Sequence, residues 1–301
     1  MSPRTLHLVD ASVYVFRAYY SVAPEFVDHE EQPVHAVYGF LGFLLNLFEQ
    51  ARPTHMMVAF DQSLTTSFRN EIYPQYKANR ELPPADLDRQ FVYCREVCAA
   101  LGLASASDGS YEADDLIGSA LAQMRPKGWR GVIVSADKDL TQLIGEHDRV
   151  WDFARNQRYG PDGVVERMGV RPAQVADFLA LTGDAVDNIP GVPGIGPKTA
   201  AALLAHFETL DAVLARVEEV PFLRMRGAAS VAAKIRAHRE QALMSRQLTV
   251  IALDAPVATD PEQYAVGVPD EAAVDDLLER LKFGPMTRRR VREHLERMRG
   301  R

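Results

Sequence analysis

The chain has 301 residues, enough to bury a full core and long for a single domain. Its 47% hydrophobic and 25% charged residues are those of an ordinary globular protein, and no apolar run approaches the ~18–20 residues that cross a membrane. The net charge of −7 does not advertise a nucleic-acid binder, but carboxylates that hold metal ions are locally neutralised, so such a substrate is not excluded.

The N-terminus enters an apolar strand at once without a signal-peptide layout, which implies a cytoplasmic protein. Residues 5–10 (TLHLVD) read as a buried strand closing on Asp10, and 34–50 as an apolar helix. MMVAFD (56–61) repeats the strand pattern and stops at Asp61; GVIVSADKD (131–139) does so again around Asp137. Apolar strands separated by helices imply a mainly parallel sheet covered on both faces, whose ligands gather beyond the carboxyl ends of the strands. Asp is common wherever strands give way to turns, so one such residue means little; three aim at one region.

Between the second strand and the next helix, 65–86 is polar, aromatic and basic, and Pro83 and Pro84 end it. Arg69, Lys77 and Arg80 are interleaved there with Phe68, Tyr73 and Tyr76, a pattern suited to phosphates and unpaired bases but equally to a solvated loop. The two cysteines, Cys94 and Cys98, share one face of a helix and lack the further ligands of a zinc site, so they read as reduced structural thiols.

YEADDLIGSAL (111–121) opens a helix with Glu112, Asp114 and Asp115. Residues two apart on a helix point almost oppositely, so Glu112 belongs just outside the first turn, where it can still converge with Asp114. Acids there complement the helix dipole, but three together repel unless a cation lies among them. Asp137 and Asp139, then Asp184 and Asp187, bring the total to nine acids in five segments. Hard oxygen donors select Mg²⁺ or Mn²⁺, and nine exceed the need of one ion; two ions about 3.5–4 Å apart would account for them.

From about 172 the texture changes to short helices punctuated by Gly and Pro, and a domain transition is placed near 180, dividing the chain into 1–180 and 181–301. VPGIGPKTAAALLAHF (192–207) sets Gly194 and Gly196 before a helix opened by Pro197, Lys198 and Thr199, the helix–hairpin–helix pattern in which backbone amides approach phosphate. The Arg-rich tail (Arg288, Arg289, Arg290, Arg292) is either a duplex-touching patch or a soluble helix face, and the second is favoured.

The ordered run VD (9–10), AVYGF (36–40), VAFD (58–61), SFRNE…YKANR (67–80), YEADD (111–115), SADKDL (135–140), LTGD..DN (181–188) and GVPGIGPKTA (191–200) resembles the 5′-nuclease (flap endonuclease) family, in particular the 5′-3′ exonuclease domain of bacterial DNA polymerase I. The likeness runs from about residue 4 to KFG at 282–284. It implies an α/β fold, a mainly parallel central sheet flanked by helices (5′-nuclease-like), with a C-terminal helix–hairpin–helix subdomain and a basic arch at 65–86. It also implies a metal-dependent deoxyribonuclease acting on DNA with a free 5′ end, a flap or a nick, or on an RNA primer–DNA hybrid, as a monomer.

By the same resemblance, Asp10, Asp61, Glu112, Asp114 and Asp115 serve a first metal ion and Asp137, Asp139, Asp184 and Asp187 a second. Lys77 and Arg80 would stabilise charge on the scissile phosphate, Arg69 would bind phosphate nearby, and Tyr76 would stack on the terminal base. Gly194, Gly196, Lys198 and Thr199 would grip duplex backbone, with K⁺ bound through the carbonyls of the turn. Two departures, Ala11 after the first aspartate and Val186 in the last acidic motif, fall beside the ligands. Two other readings are weighed: an RNA-processing nuclease on a related fold, which needs neither the basic loop nor the hairpin, and a non-catalytic junction binder, which leaves nine like charges without use.

Overall fold

The structure, a computed structural model, describes residues 4–63, 66–81 and 83–299. The α/β body is built from β1 (Arg4–Asp10), α1 (Ala11–Ser21), α2 (His35–Ala51), β2 (Met56–Ala59), α3 (Phe68–Ile72), α4 (Ala85–Ala100), β3 (Ala104–Ala106), α5 (Ala113–Met124), β4 (Trp129–Val134), β5 (Arg149–Asp152) and β6 (Gln157–Tyr159). One six-stranded sheet has the order β3-β2-β1-β4-β5-β6; only β6 is antiparallel, at an edge. β1 is buried from Leu6 to Asp10 and β2 throughout, as strands covered on both faces must be. The parallel register sets Asp10 beside Ala59 and Val9 beside Val134, so the chain leaves all three central strands at one edge.

One face of the sheet carries α1, α2 and α4, with Phe40, Leu44, Leu47 and Leu87 fully buried. Each such side chain contributes about 1.5–3 kcal/mol by leaving water. α1 and α2 meet at Gly39, where a Cβ would lie 2.6 Å from Ala18 Cβ; only glycine allows that approach. Cys94 and Cys98 are buried in this layer as free thiols. α5 covers the other face through Leu116, Ile117, Ala120 and Leu121.

A second core holds α6 (Pro161–Met168), α7 (Val175–Thr182), α8 (Pro197–Phe207), α9 (Leu210–Ala215), α10 (Ala228–Ala237) and α11 (Arg239–Thr249). The chain then returns: Ile251, Ala255 and Tyr264 pack under α5, while α12 (Glu271–Arg280) and α13 (Pro285–Arg299) join the core of α2 and α4. The expected division at about 180 is corrected on both sides by this packing. Ile144, Val150 and Val164 belong to the helical core, and 251–299 belongs to the α/β body rather than to a subdomain spanning 181–301. Of the α13 arginines, Arg288 donates to the Phe283 and Leu278 carbonyls, Arg290 to Asn46 and Arg289 to Glu293, while Arg289, Arg290 and Arg292 remain exposed. No helix among the described residues is long and apolar enough to cross a membrane.

Candidate metal centre

Asp10 ends β1 and caps α1. Its Oδ1 accepts from the Val13 amide at 3.4 Å and its Oδ2 from Ser135 Oγ at 2.8 Å. Asp61, two residues past β2, donates its amide to Ser12 Oγ (3.2 Å) and accepts the Ala113 amide at Oδ1 (2.9 Å), which ties it to the first turn of α5. Glu112 is the N-cap of that helix, outside its first turn as the spacing of the three acids requires. Beyond β4, Asp137 accepts the Asp139 amide (2.9 Å) and donates its own amide to Ser135 Oγ (3.0 Å), so one serine fixes Asp10 and Asp137 together.

Asp184 and Asp187 lie on a turn closed by reciprocal backbone bonds between Asp184 and Ile189. Gly183 and Gly191 cross at its base, with φ of 76° and 60°, and a Cβ on Gly191 would stand 2.2 Å from the Gly183 nitrogen. The 75–80 turn is stitched to the same loop: the Lys77 amide donates to Asp187 O (3.0 Å), Asn79 Nδ2 to Ala185 O (2.7 Å) and Asn188 Nδ2 to Gln75 O (2.6 Å). Of the basic arch at 65–86, Thr65 and Leu82 lie outside the described residues.

The electrostatics mark which acids share a space. Burial, and after it the charge of Asp61, pushes the Asp10 carboxyl up to about 7. Asp114 is pushed well above the usual carboxylate range by burial and then by Asp137, Asp10 and Asp61. Burial followed by Asp137 takes Asp139 up to about 7, with Asp184 adding to the rise. Burial alone would also raise Glu112, but the Lys77 ammonium and Arg69 guanidinium outweigh it and hold that carboxyl low; Lys138 does the same for Asp184. Asp10, Asp61, Asp114 and Asp137 therefore form one mutually repelling group, and Asp139 links it to Asp184.

Cations line the mouth. Lys77 Nζ is bonded to Glu112 Oε1 and lies 3.9 Å from Asp187 Oδ2, Arg80 pairs with Asp187, and Lys138 bridges Asp184 and Asp139. Among the described residues no three His, Cys, Asp or Glu side chains enclose an ion as they stand. Yet every donor in the group is a carboxylate oxygen, and the group is short of positive charge, which fits hard divalent cations.

Three expected roles are corrected. Asp115 does not face the group: its two oxygens are saturated by Arg69 (2.8 Å to each), by the Ala252 amide (2.8 Å) and by the Glu112 amide (3.0 Å). Arg69 is 3% exposed and also donates to Glu112 and to the Leu248 and Val250 carbonyls, so it has no face for a phosphate. Tyr76 is 4% exposed, its hydroxyl donating to Glu112 (2.9 Å), and offers no ring to a base. Ser12, Ser135 and Lys138 bond to these aspartates and were passed over by sequence reasoning; only Lys138, set between two aspartates, gave a signal.

The hairpin turn beside this centre leaves Gly194, Gly196 and Lys198 exposed, and Thr199 half-buried in the first turn of α8. The Gly196 carbonyl accepts the amides of Thr199 and Ala200 (3.0 Å each), and Lys234 Nζ donates to Gly194 O at 3.3 Å.

Two family profiles match the chain, "5'-3' exonuclease, N-terminal resolvase-like domain" over residues 5–169 and "5'-3' exonuclease, C-terminal SAM fold" over 170–272. DNA polymerase I of Rhizobium leguminosarum is 37% identical over 291 residues, covering 94% of this chain and 28% of that protein. DNA polymerase I of Pseudomonas aeruginosa is 39% identical over 285 residues, with 94% and 31% covered. The chain thus spans about three tenths of the length of these curated relatives. Among solved structures, that of divalent metal ions (zinc) bound to T5 5′-exonuclease superposes with a TM-score of 0.67 at 22% identity, covering 92% of this chain and 100% of that one. The catalytic core of Rad2 in complex with DNA substrate gives 0.66 at 16% identity, covering 97% and 92%. At these identities the two structures speak for the fold.

Proposed function

The chain belongs to the 5′-3′ exonuclease family, and from that premise we propose that it hydrolyses DNA phosphodiesters at or near a free 5′ end, as an exonuclease and as a structure-specific flap endonuclease. The observation that carries this reading is the meeting of eight of the nine acids, all but Asp115, around the carboxyl ends of β1, β2 and β4, with Lys77, Arg80 and Lys138 at the mouth.

In this reading Asp10, Asp61, Glu112 and Asp114 hold one divalent ion, and Asp137, Asp139, Asp184 and Asp187 the other. Two such ions, Mg²⁺ or Mn²⁺, held by these acids would supply activation of a water nucleophile and charge stabilisation of the leaving oxygen. Ser135 and Ser12 keep Asp10, Asp137 and Asp61 aimed at the centre. Lys77 and Arg80, which neutralise Glu112 and Asp187 here, turn to the phosphate when cations take over those acids, and stabilise the charge that builds in the transition state. The Gly194–Gly196 turn, Lys198 and Thr199 face the duplex backbone, whose phosphates suit exposed amides at a helix start. K⁺ at that turn adds to the grip if it displaces Lys234 from Gly194 O. The substrate is DNA with a free 5′ end, a flap, a nick or an RNA-primer hybrid, met by a cytoplasmic monomer.

A 5′-flap duplex labelled at its 5′ end, incubated with Mg²⁺, Mn²⁺ or EDTA, tests the reading. Release of the flap near the junction, or of mononucleotides, under metal and not under EDTA is the expected result. Tight binding without product under either metal would leave a junction-binding module instead.

The ion reading has a thermal signature. Asp10 and Asp139 are raised in the fold to about 7, so the folded chain keeps protons that the unfolded chain loses above about 4. Their contribution to stability is greatest below pH 4 and is lost as pH rises to about 7. The depressed acids, Glu112 and Asp184, act in the opposite sense only below about 4.5, outside that window. Because an ion must displace the retained protons, the rise in Tm on adding Mg²⁺ should be larger at pH 8 than at pH 5.5. Equal shifts at both pH values would remove Asp10 and Asp139 from the ion sites.

A further inference from the structure

Lys138 stands between Asp137 and Asp139, where the chain leaving β4 enters a 3-10 turn (Asp139–Leu143). Its carbonyl accepts both the amide (3.1 Å) and the hydroxyl (2.5 Å) of Thr141, so the turn fixes where its side chain starts. The ammonium donates to Asp184 Oδ2 and lies 3.1 Å from Asp139 Oδ1. One flexible cation thereby joins two carboxylates from different parts of the fold. The lysine side chain is 50% exposed, whereas Asp184 is 5% and Asp139 16% exposed.

Among the described residues neither acid pairs with any other cation. The second oxygen of Asp184 is taken by the Val186 amide at 2.8 Å. The same cleft, lined also by Val13, Arg80, Asp137 and Asp187, opens to solvent beside the lysine. A buried pair of acids would need a cation there; a tethered, half-exposed one can be exchanged for another without disturbing the core.

We infer that Lys138 is a built-in competitor for the second divalent ion: its ammonium occupies the Asp139–Asp184 pair until the ion displaces it outward into solvent. This rests on the two-ion reading above. The displaced ammonium, on its four-carbon stem, stays close to the cleft and finds its next partner in a substrate phosphate. Substrate and second ion then favour each other's binding, since each relieves a charge the other leaves, and the second site fills with DNA rather than ahead of it.

The test is Mn²⁺ binding to the metal-free full chain, followed by the paramagnetic resonance of free Mn²⁺ and by calorimetry, in wild type, Lys138→Met and Lys138→Arg. Lys138→Met removes the charge and keeps the length; it should tighten the weaker of two Mn²⁺ sites by roughly threefold to fivefold, the scale of one partly exposed ion pair, and leave the tighter site alone. Lys138→Arg keeps the charge and should stay near wild type. Weaker or unchanged binding in Lys138→Met, or an equal shift in Lys138→Arg, would overturn the inference while two sites remained. Absence of any bound Mn²⁺ in all three proteins would overturn the two-ion reading with it.

Discussion

Asp114→Asn should abolish Mg²⁺-dependent cleavage, by on the order of 10³-fold or more, and at the same time make the metal-free protein more stable. The two halves have one cause. Asp114 sits among Asp137, Asp10 and Asp61, and burial together with those three charges drives its carboxyl well above the normal range. At pH 8 the ion-free fold must either hold a proton there that the unfolded chain gives up freely, or accept the repulsion; the amide does neither. The amide also fills nearly the same volume, so packing at the first turn of α5 changes little. In catalysis the same charge is what draws a cation against its neighbours, and a loss of this scale is typical when a preorganised electrostatic group is removed. The melting temperature in EDTA should therefore rise, and the increment produced by Mg²⁺ should shrink. A variant that loses activity and melts lower in EDTA would mean that Asp114 supports the fold rather than the ions. This opposition between stability and activity is expected where a site stores like charges for use.

What the sequence made legible follows from how local the determinants are. Asp10, Asp61 and Asp137 could be aligned because a parallel sheet of buried strands brings their carboxyl ends to one edge, and each strand announced itself by an apolar run. Glu112 could be placed outside α5 from helical spacing alone, and it is the N-cap. Asp115 could not be separated from Asp114 by the same spacing, because its direction is decided by Arg69, 46 residues away. Arg69 itself sat in a polar, basic stretch that reads as surface, yet α3 inserts it beneath Leu248 and Val250. Tyr76 failed for the same reason: its loop is hydrophilic, but the ring is buried in a small cluster with Ile189 and Leu248. The return of α12 and α13 to the body was equally hidden, since their amphipathic faces fit any apolar partner.

Asp115→Asn should be strongly destabilising. Asp115 is fully buried and Arg69 is 3% exposed; the pair makes two bonds of 2.8 Å, so the substitution leaves a guanidinium in the interior with half its counter-charge gone. Breaking a buried pair from one side costs about 3–5 kcal/mol. For a chain of this size that corresponds to a fall in Tm of roughly 5–8 °C. Arg69→Leu should be as severe, because it strands Asp115 and deprives the Leu248 and Val250 carbonyls of their donor. The double variant Arg69→Leu/Asp115→Leu should lose clearly less than the sum, since neither charge then remains unpaired. Catalysis separates this role from ion binding. At about 10 °C, where Asp115→Asn still folds, its cleavage rate should exceed that of Asp114→Asn by tenfold or more, because the oxygens of Asp115 are committed to Arg69 and two backbone amides and not to the acid group. Equal losses in the two variants, with Asp115→Asn melting near wild type, would return Asp115 to the ion ligands and make Arg69 the residue that moves.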